Sequence, residues 1–429
     1  MKFKVINFGC KVNTYESTYI EEVFINDGLT ETKDISEADV IVINTCSVTN
    51  MADNKCKKFI RRIKRENNKA TVIACGCSVQ NNFEDYKTYG LDILVGTNNK
   101  KDIPNLYKEF LKDKKPIYIF NENRKKPFEN MHLDKFTKHT RAFIKIQDGC
   151  DNFCSYCCIP LVRGSQRSKD YNEVISETKE LVKNGHKEIV FVGIHTGSYL
   201  DQGKDLFDLI EDVSKIDGLE RIRISSIEIT ELNDKFMNLL KNNPKVVSHM
   251  HIPLQAGSDN VLKLMNRKYD LKYFEDKINL IRSIRPDINI TTDVIVGHPG
   301  ETSKDFDNTL EFCEKIGFGK IHVFPYSKRN NTKAALMDNH VSEEVKKDRA
   351  NKLIRLSDIL ESKYENKFIG KTYRIITEEN HQNEIVGFTD NYIKVKVISD
   401  EKLKPNMMIN VLLDHKDGEY VYGIYKKEK

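Results

Sequence analysis

The sequence contains no run of apolar residues long enough to cross a bilayer, so we predict no membrane insertion. It also lacks the pattern of a secretory signal peptide, and we therefore expect a cytoplasmic chain whose thiols stay reduced. Neither sign of charge is in large excess, because 69 Lys and Arg residues oppose 64 Asp and Glu residues. Total charge thus says little about partners. The eleven histidines show no spacing typical of metal ligands, and none is assigned to a metal.

Cysteine, by contrast, is informative. Among ten cysteines, Cys150, Cys154 and Cys157 have the spacing C-x3-C-x2-C, and no fourth ligand follows. Three thiolates can bind three corners of a four-iron cluster and leave one iron open to a substrate or cofactor. A structural zinc site usually takes four ligands from two separated pairs, and disulfides are disfavoured in a reducing compartment. The spacing therefore favours an iron–sulfur cluster that takes part in chemistry.

Three further cysteines are predicted to meet at one edge of a sheet. Short apolar segments alternate with helical patterns over the first hundred or so residues, which predicts a Rossmann-like parallel sheet. Cys10, Cys46 and Cys77 each follow one of its first three strands, and the carboxyl ends of parallel strands share one edge. We therefore expect a second site with three thiolates. The predicted strands are Phe3–Phe8, Val40–Asn44, Thr71–Ala74 and Leu91–Val95. The remaining cysteines, Cys56, Cys75, Cys158 and Cys313, are expected to pack in the core.

Six βα units follow a polar linker. Six parallel strands fall short of the eight that close a barrel, so we predict a partial (β/α)6 barrel with a lateral opening. The cysteine-rich loop at Cys150 follows the first of these strands, which places it at the carboxyl-end face where barrel enzymes bind substrates. The predicted strands are Ala142–Gln147, Glu188–Gly193, Arg221–Ile227, His249–Pro253, Ile290–Gly297 and Lys320–Pro325.

A long charged helix over Val341–Asn366 leads to a tail of short strands. Five strands in so short a segment favour a small closed β-barrel of the kind that often binds RNA, and a packing or dimerisation module is the alternative. The chain is thus predicted to be an α/β protein with domains at 1–118, 140–340 and 366–429. The predicted tail strands are Thr372–Glu378, Glu384–Thr389, Tyr392–Ile398, Met408–Leu413 and Tyr420–Tyr425.

A run of basic residues in the first domain has two interpretations. Between Lys55 and Lys69 eight residues are basic and one, Glu66, is acidic, and apolar residues recur between them at helical spacing. Such a helix can contact the phosphates of a nucleic acid. A solvated helix face in a lysine-rich protein explains the run equally well.

Five motifs together resemble the methylthiotransferases, a family of radical S-adenosylmethionine enzymes. Proteins of this family carry an amino-terminal domain with three cysteines, a radical S-adenosylmethionine partial barrel and a small β-barrel called a TRAM domain, and the resemblance spans nearly the whole chain. Two residues depart from the usual pattern, His298 in place of Phe and Lys169 in place of Arg. The motifs are GCKVNTYES at 9–17, NTCSVT at 44–49, CDNFCSYC at 150–157, HIPLQAGSD at 251–259 and GHPGE at 297–301.

The resemblance implies two [4Fe–4S] clusters, S-adenosylmethionine, an electron donor and a sulfur source. It assigns Cys150, Cys154 and Cys157 to the cluster that cleaves S-adenosylmethionine, and the other cysteine trio to the cluster that presents sulfur. No side chain is assigned as a catalytic acid or base. Residues at the carboxyl-end face of the barrel are expected to contact S-adenosylmethionine, and a planar guanidinium suits its carboxylate. These expected contacts are Gly193, Ser226, Glu228, Gln255, Arg267 and Gly297.

Within the family, the residues Lys11-Val12-Asn13 and the segment Ser225–Glu228 look most like the MtaB branch. That branch adds a methylthio group to carbon 2 of threonylcarbamoyladenosine at tRNA position 37, so the expected partner is a tRNA anticodon loop. The alternatives are the MiaB branch, which acts on isopentenyladenosine, and the RimO branch, which modifies an aspartate of a ribosomal protein. A non-catalytic RNA-binding protein with two cysteine-bound metals is the alternative from another class.

Overall fold

The structure is a computed structural model that describes residues 1–47, 50–120, 126–136, 138–379 and 384–425, the side chains of 50–52 excepted. Val48 and Thr49, which end the NTCSVT motif, lie outside the described residues. Within the described ranges, no helix has both the length and the apolar character needed to span a membrane.

The amino-terminal part is a six-stranded parallel sheet. Its elements are β1 (Lys2–Asn7), α1 (Lys11–Asn26), β2 (Thr30–Glu31), β3 (Val40–Thr45), α2 (Asn50–Glu66), β4 (Thr71–Gly76), α3 (Cys77–Asn81), α4 (Phe83–Lys87), β5 (Ile93–Val95), α5 (Ile103–Asp113) and β6 (Ile117–Ile119). The strand order is β2-β1-β3-β4-β5-β6. Alternate residues of β3 pack on opposite faces, Val40 and Val42 with α1 and α5, and Ile41 and Ile43 with α2. The predicted parallel sheet is confirmed, with the short strands β2 and β6 in addition.

The middle of the chain is an open barrel of six parallel strands, as predicted. The strands run in the orders β7-β10-β13 and β14-β15-β16, and a bridge between Ile222 and Val246 joins the two halves. The elements are β7 (Ala142–Lys145), β8 (Gln147–Asp148), α6 (Ile159–Val162), β9 (Arg167–Ser168), α7 (Tyr171–Lys183), β10 (Glu188–Val192), β11 (Leu200–Asp201), β12 (Lys204–Asp205), α8 (Leu206–Ser214), β13 (Arg221–Ile224), α9 (Asp234–Asn242), β14 (His249–His251), α10 (Asp259–Leu264), α11 (Leu271–Ile284), β15 (Asn289–Val296), α12 (Ser303–Ile316) and β16 (Lys320–Pro325).

The tail is a closed five-stranded barrel, again as predicted, with the order β17-β18-β19-β21-β20. The long helix begins after an N-cap, Ser342, whose hydroxyl accepts the N–H of Val345. Two strand boundaries in the tail differ clearly from the prediction. Tyr392 has a φ of 67° and lies in a turn, so that the strand starts at Lys394. The strand that begins at Met408 extends to Asp417 rather than ending at Leu413. The elements are α13 (Glu343–Asn366), β17 (Thr372–Glu379), β18 (Ile385–Thr389), β19 (Lys394–Ile398), β20 (Met408–Asp417) and β21 (Tyr420–Tyr425).

The tail barrel covers the amino ends of the strands of the open barrel. Arg221, the first residue of β13, donates from Nη1 to the carbonyl oxygen of Phe388 at 2.9 Å. Asn289, the first residue of β15, donates from Nδ2 to the carbonyl oxygen of Asn391 at 2.9 Å. The tail is therefore part of the wall of the open barrel rather than a separate appendage.

A buried group of charges joins the amino-terminal sheet to the open barrel. Glu16 of α1 accepts hydrogen bonds from Lys145 at 2.8 Å and from Arg163 at 3.2 Å, and it also pairs with Lys100. All four side chains are fully buried. Burial alone would raise the pKa of Glu16, but the three cations hold that pKa well below its usual range. The carboxylate therefore stays ionised at neutral pH.

Replacing this carboxylate, Glu16→Gln, will lower the free energy of unfolding by about 3–5 kcal/mol, because buried cations lose their counter-charge. The change is measured as a shift of the urea unfolding midpoint. The control Glu109→Gln alters an exposed residue of α5 and should change stability by no more than about 0.5 kcal/mol. An unchanged midpoint for Glu16→Gln would show that the group contributes no net stability.

Candidate functional site

The carboxyl ends of β1, β3 and β4 bring Cys10, Cys46 and Cys77 to one edge of the amino-terminal sheet. β1 and β3 pair in parallel as far as Asn7 and Asn44, and Cys46 and Cys77 directly follow β3 and β4. Cys10 directly precedes α1 and Cys77 is the first residue of α3, so each thiol lies just beyond the carboxyl end of its strand, where open parallel sheets bind ligands. We refer to these three residues as the first thiol set.

Cys150, Cys154 and Cys157 form the second thiol set, in the loop between β8 and α6 at the carboxyl-end face of the barrel. Desolvation raises the pKa of the Cys157 thiol, and the nearby thiols of Cys158, Cys154 and Cys150 raise it further. Metal binding requires the thiolate and releases the proton. Arg267 donates from Nη1 to Cys154 Sγ at 3.3 Å, which supplies positive charge beside that ligand position.

One guanidinium connects the two thiol sets. Arg163, which directly follows α6, donates from Nε to Cys77 Sγ at 3.3 Å and from Nη2 to Asn13 Oδ1 at 3.1 Å. The same Asn13 oxygen accepts from Cys10 Sγ at 3.5 Å. Arg163 Nη1 also donates to Asp148 Oδ1 at 3.0 Å, just before the second thiol set. The first thiol set is thus anchored to the barrel that carries the second.

The thiol chemistry fits iron–sulfur clusters. Among the described residues, no three His, Cys, Asp or Glu side chains are placed to hold a single metal ion. A four-iron cluster is larger than one ion, and its cysteine ligands bind different iron atoms rather than one common point. Each set offers three thiols, so a four-iron cluster bound by one set would keep one open iron.

A cavity of about 900 Å³ lies within the open barrel. We call it the large cavity. Cys10 of the first thiol set lines it on one side, and Phe388 and Tyr392 of the tail barrel line it on another. Its volume falls in the range of small-molecule sites, about 300–1,000 Å³.

A smaller cavity of about 200 Å³ lies beside Cys157 of the second thiol set. Asp293 of β15 and Phe324 of β16 line both cavities, so the two adjoin. Cys10 faces one part of this joint space and Cys157 faces the other. Chemistry that needs both thiol sets can therefore take place on one molecule bound between them.

The residues predicted to contact S-adenosylmethionine are distributed between these cavities. Gly193 and Ser226 line the large cavity, at the loops that follow β10 and β13. Gln255 lines the small cavity and has a φ of 68°, in the left-handed region. The structure thus places three of the six positions at the joint space.

The other three predicted contacts are placed differently. Arg267 pairs with Glu228, and its Nε donates to the hydroxyl of Tyr269 at 3.2 Å. Its third nitrogen, Nη1, donates to Cys154 Sγ, so each nitrogen of this guanidinium has a protein partner. Gly297 donates its N–H to Glu301 Oε1 at 3.0 Å and lines neither cavity. The assignment of all six residues to the cofactor stays a prediction.

His195 lies at the carboxyl-end face of the barrel, in the loop after β10, and its Nε2 is 2.6 Å from Glu231 Oε1. Burial opposes protonation of this imidazole, but Cys150 and Glu231 raise the pKa of His195 to about 10. The imidazole and its carboxylate partner thus lie beside the second thiol set.

Sequence reasoning missed the polar side chains inside the open barrel. His251 contacts Thr291 Oγ1 through Nδ1 at 3.0 Å and Asp293 through Nε2 at 3.2 Å. Polar residues at alternate positions of apolar strands, such as Thr291 and Asp293, point to one face, and this alternation was the available signal. The polar residues of the strands that line the large cavity include Arg223, His249, His251, Thr291, Asp293 and His322.

Family models match two parts of the chain. Residues 144–313 match the Radical SAM superfamily, and residues 2–96 match Uncharacterized protein family UPF0004. Among solved structures, the radical S-adenosylmethionine methyltransferase TsrM from Kitasatospora setae superposes with a TM-score of 0.60 at 12% identity, over 78% of this chain and 77% of that one. This similarity supports the fold.

Two curated relatives match almost end to end. The chain is 42% identical over 398 residues to the threonylcarbamoyladenosine tRNA methylthiotransferase MtaB of Bacillus subtilis, which covers 90% of this chain and 88% of the relative. It is 33% identical over 418 residues to a tRNA-2-methylthio-N(6)-dimethylallyladenosine synthase of Clostridium perfringens, over 94% of this chain and 92% of that one.

Proposed function

Because the chain belongs to the methylthiotransferase family of radical S-adenosylmethionine enzymes, we propose that it adds a methylthio group to carbon 2 of threonylcarbamoyladenosine at position 37 of tRNA. The observation that carries this proposal is the 42% identity to the relative with that activity, against 33% to the relative named for the dimethylallyl substrate. The joint space between the two thiol sets supports it.

In this proposal each thiol set holds one [4Fe–4S] cluster, and the second set also serves S-adenosylmethionine. When bound, these groups supply the electron that cleaves S-adenosylmethionine and the sulfur that is inserted. The protein holds the substrate base in the large cavity, within reach of Cys10 on one side and of the small cavity on the other. The hydrogen on an unactivated aromatic carbon is not acidic, so acid–base catalysis by side chains cannot drive this reaction. The side chains instead orient the substrate and exclude water.

The proposed partners follow from the same assignment. A tRNA anticodon loop enters through the lateral opening of the barrel, and the exposed basic residues of α2, such as Lys55, Lys58 and Arg65, contact its phosphates. The tail barrel is the proposed TRAM domain. An electron donor and a sulfur source complete the reaction in the cytoplasm. The domains at 1–118, 140–340 and 366–429 carry the sulfur cluster, the radical chemistry and the tail barrel respectively.

Deletion of the gene will remove methylthio-threonylcarbamoyladenosine from cellular tRNA and leave its unmethylthiolated precursor in place. Any methylthio-isopentenyladenosine that the host makes will persist, because a pocket with hydrogen-bonding groups discriminates against an apolar arm. Nucleoside mass spectrometry of total tRNA checks this result, with the strain complemented by the intact gene as the control.

Other outcomes of that measurement identify the alternatives. Loss of methylthio-isopentenyladenosine alone, with isopentenyladenosine left in place, would assign the protein to the MiaB branch. Unchanged tRNA together with loss of a methylthio group on a ribosomal protein would assign it to the RimO branch. Unchanged tRNA and ribosomes would favour a non-catalytic RNA-binding protein.

A further inference from the structure

Arg223 of β13 is a buried cation with unused hydrogen-bonding capacity. Its side chain is 2% exposed, and Nε donates to Glu188 Oε1 at 2.7 Å. Nη1 and Nη2 have no hydrogen-bond partner among the described residues, although both atoms are buried. Burying charged donors without acceptors costs free energy. Arg223 lines the large cavity. A ligand in that cavity can supply the missing acceptors.

The tail barrel holds this guanidinium in place. The Arg223 Cζ lies 4.6 Å from the centroid of the Tyr392 ring. The Tyr392 ring also stacks with His249 and with Phe388, at centroid distances of 4.6 Å and 4.7 Å. These contacts hold the Tyr392 ring beside the guanidinium.

Positive charge exceeds negative charge around this position. Burial would raise the pKa of the Tyr392 hydroxyl, yet Arg141, Lys11 and Arg223 lower it. Burial and the cations that include Arg223, Lys11 and Arg141 hold the pKa of His249 well below its usual range, so that ring is neutral. Two carboxylates offset these cations in part: Glu188 pairs with Arg223 and is 3.8 Å from a second guanidinium, and Glu378 pairs with Arg141 at 3.0 Å. An anion in the cavity would be stabilised by this surplus.

We propose that Nη1 and Nη2 of Arg223 bind an oxyanion of the substrate, and we assign it to the carboxylate of the threonylcarbamoyl arm. The assignment rests on the proposed function. A planar guanidinium with two free nitrogens matches a carboxylate in a bidentate geometry. An isopentenyl arm offers no acceptor and leaves the buried nitrogens unpaired, so Arg223 would determine substrate specificity.

A phosphate of the RNA backbone is the other source of an oxyanion. Each backbone phosphate is linked to the chain on both sides, so placing one against a side chain that is 2% exposed requires burying the adjoining sugars too. The arm on N6 extends from the base alone and can reach a buried position without the backbone. This difference favours the carboxylate.

The test measures binding of the full-length, anaerobically reconstituted protein to synthetic anticodon stem-loop RNAs. Three RNAs carry at position 37 threonylcarbamoyladenosine, its neutral carboxamide derivative, or unmodified adenosine. The wild-type protein will bind the first about 10- to 100-fold more tightly than the other two, as expected for a buried charge-assisted hydrogen-bonded pair. The comparison uses no variant, so it does not depend on how a substitution affects folding.

Variants then assign the effect to Arg223. Arg223→Gln will lose the preference for the carboxylate RNA and bind the other two RNAs as the wild type does. Arg223→Lys keeps the charge but not the planar pair of donors, and it will recover only part of the preference. The matched control is Arg282→Gln on α11, because Arg282 also donates from Nη2 to a backbone carbonyl, that of Gly317 at 2.9 Å, but does not line the large cavity, and it will keep the full preference.

Three results would overturn the assignment. Equal affinity of the wild-type protein for the carboxylate and carboxamide RNAs would show that the protein does not bind the carboxylate. If Arg223→Gln weakened the binding of all three RNAs equally, the group that Arg223 binds would be a backbone phosphate. If it weakened the binding of none of them, Arg223 would bind no oxyanion of the substrate. Failure of the proposed function is distinct, because the wild-type protein would then form no methylthio product on threonylcarbamoyl tRNA, whatever its affinities.

Discussion

Replacing one proposed cluster ligand of the second thiol set, Cys154→Ala, will abolish the formation of deoxyadenosine from S-adenosylmethionine by the reconstituted protein. Two remaining thiolates cannot hold a cluster that keeps a single defined open iron. The rate of deoxyadenosine formation should fall by more than about 100-fold. Removing a residue that only hydrogen-bonds to a metal ligand already lowers metal affinity or activity by about 10- to 100-fold, and Cys154 is proposed to be a ligand itself. Deoxyadenosine is measured by liquid chromatography after incubation with a chemical reductant.

The matched control for this substitution is Cys313→Ala, which removes a fully buried cysteine of α12 that packs in the barrel core. That variant should keep its iron and its cleavage activity, at the cost of some stability. Deoxyadenosine formation at the wild-type rate by Cys154→Ala would show that the second thiol set is not the cleavage site.

Replacing one proposed cluster ligand of the first thiol set, Cys46→Ala, will have a different effect. Cleavage of S-adenosylmethionine will continue, because the second thiol set is untouched, but methylthiolated tRNA will fall below detection. Iron should drop from about eight to about four atoms per chain, as two four-iron clusters become one. Iron and sulfide analysis and nucleoside mass spectrometry on the same preparation check both parts.

Cys75→Ala is the control for that experiment, because Cys75 lies two residues from Cys77 but packs in the core of the sheet. It should retain both clusters and the product. Wild-type product yield from Cys46→Ala would exclude the proposed sulfur-presenting role. Zinc without sulfide in the wild-type protein would instead support the non-catalytic alternative.

The features that were predictable from sequence depend on local pattern. Strands and helices alternate with clear periodicity in the first two thirds of the chain, and the position of a cysteine just after a strand determines the sheet edge on which it lies. The short strand β6, of three residues, is too brief to show periodicity. The turn at Tyr392 has no glycine to indicate its positive φ, so its strand was predicted to start too early.

The features that were missed depend on contacts between distant parts of the chain. Arg221 and Phe388, which join the tail to the barrel, are 167 positions apart, and no local pattern connects them. Glu16, Lys145 and Arg163 are charged residues that composition would place at the surface. They are buried because they neutralise one another across two domains. The large cavity and the free nitrogens of Arg223 exist only because these parts meet.

The most direct test of the central claim is the reaction of the purified, reconstituted protein with tRNA that carries threonylcarbamoyladenosine. S-adenosylmethionine, a reductant and sulfide are supplied, and the nucleosides are then analysed by mass spectrometry. We expect conversion to methylthio-threonylcarbamoyladenosine, and no conversion of isopentenyladenosine in a parallel reaction. Conversion of isopentenyladenosine alone, or of neither nucleoside by a protein that contains both clusters, would contradict the central claim.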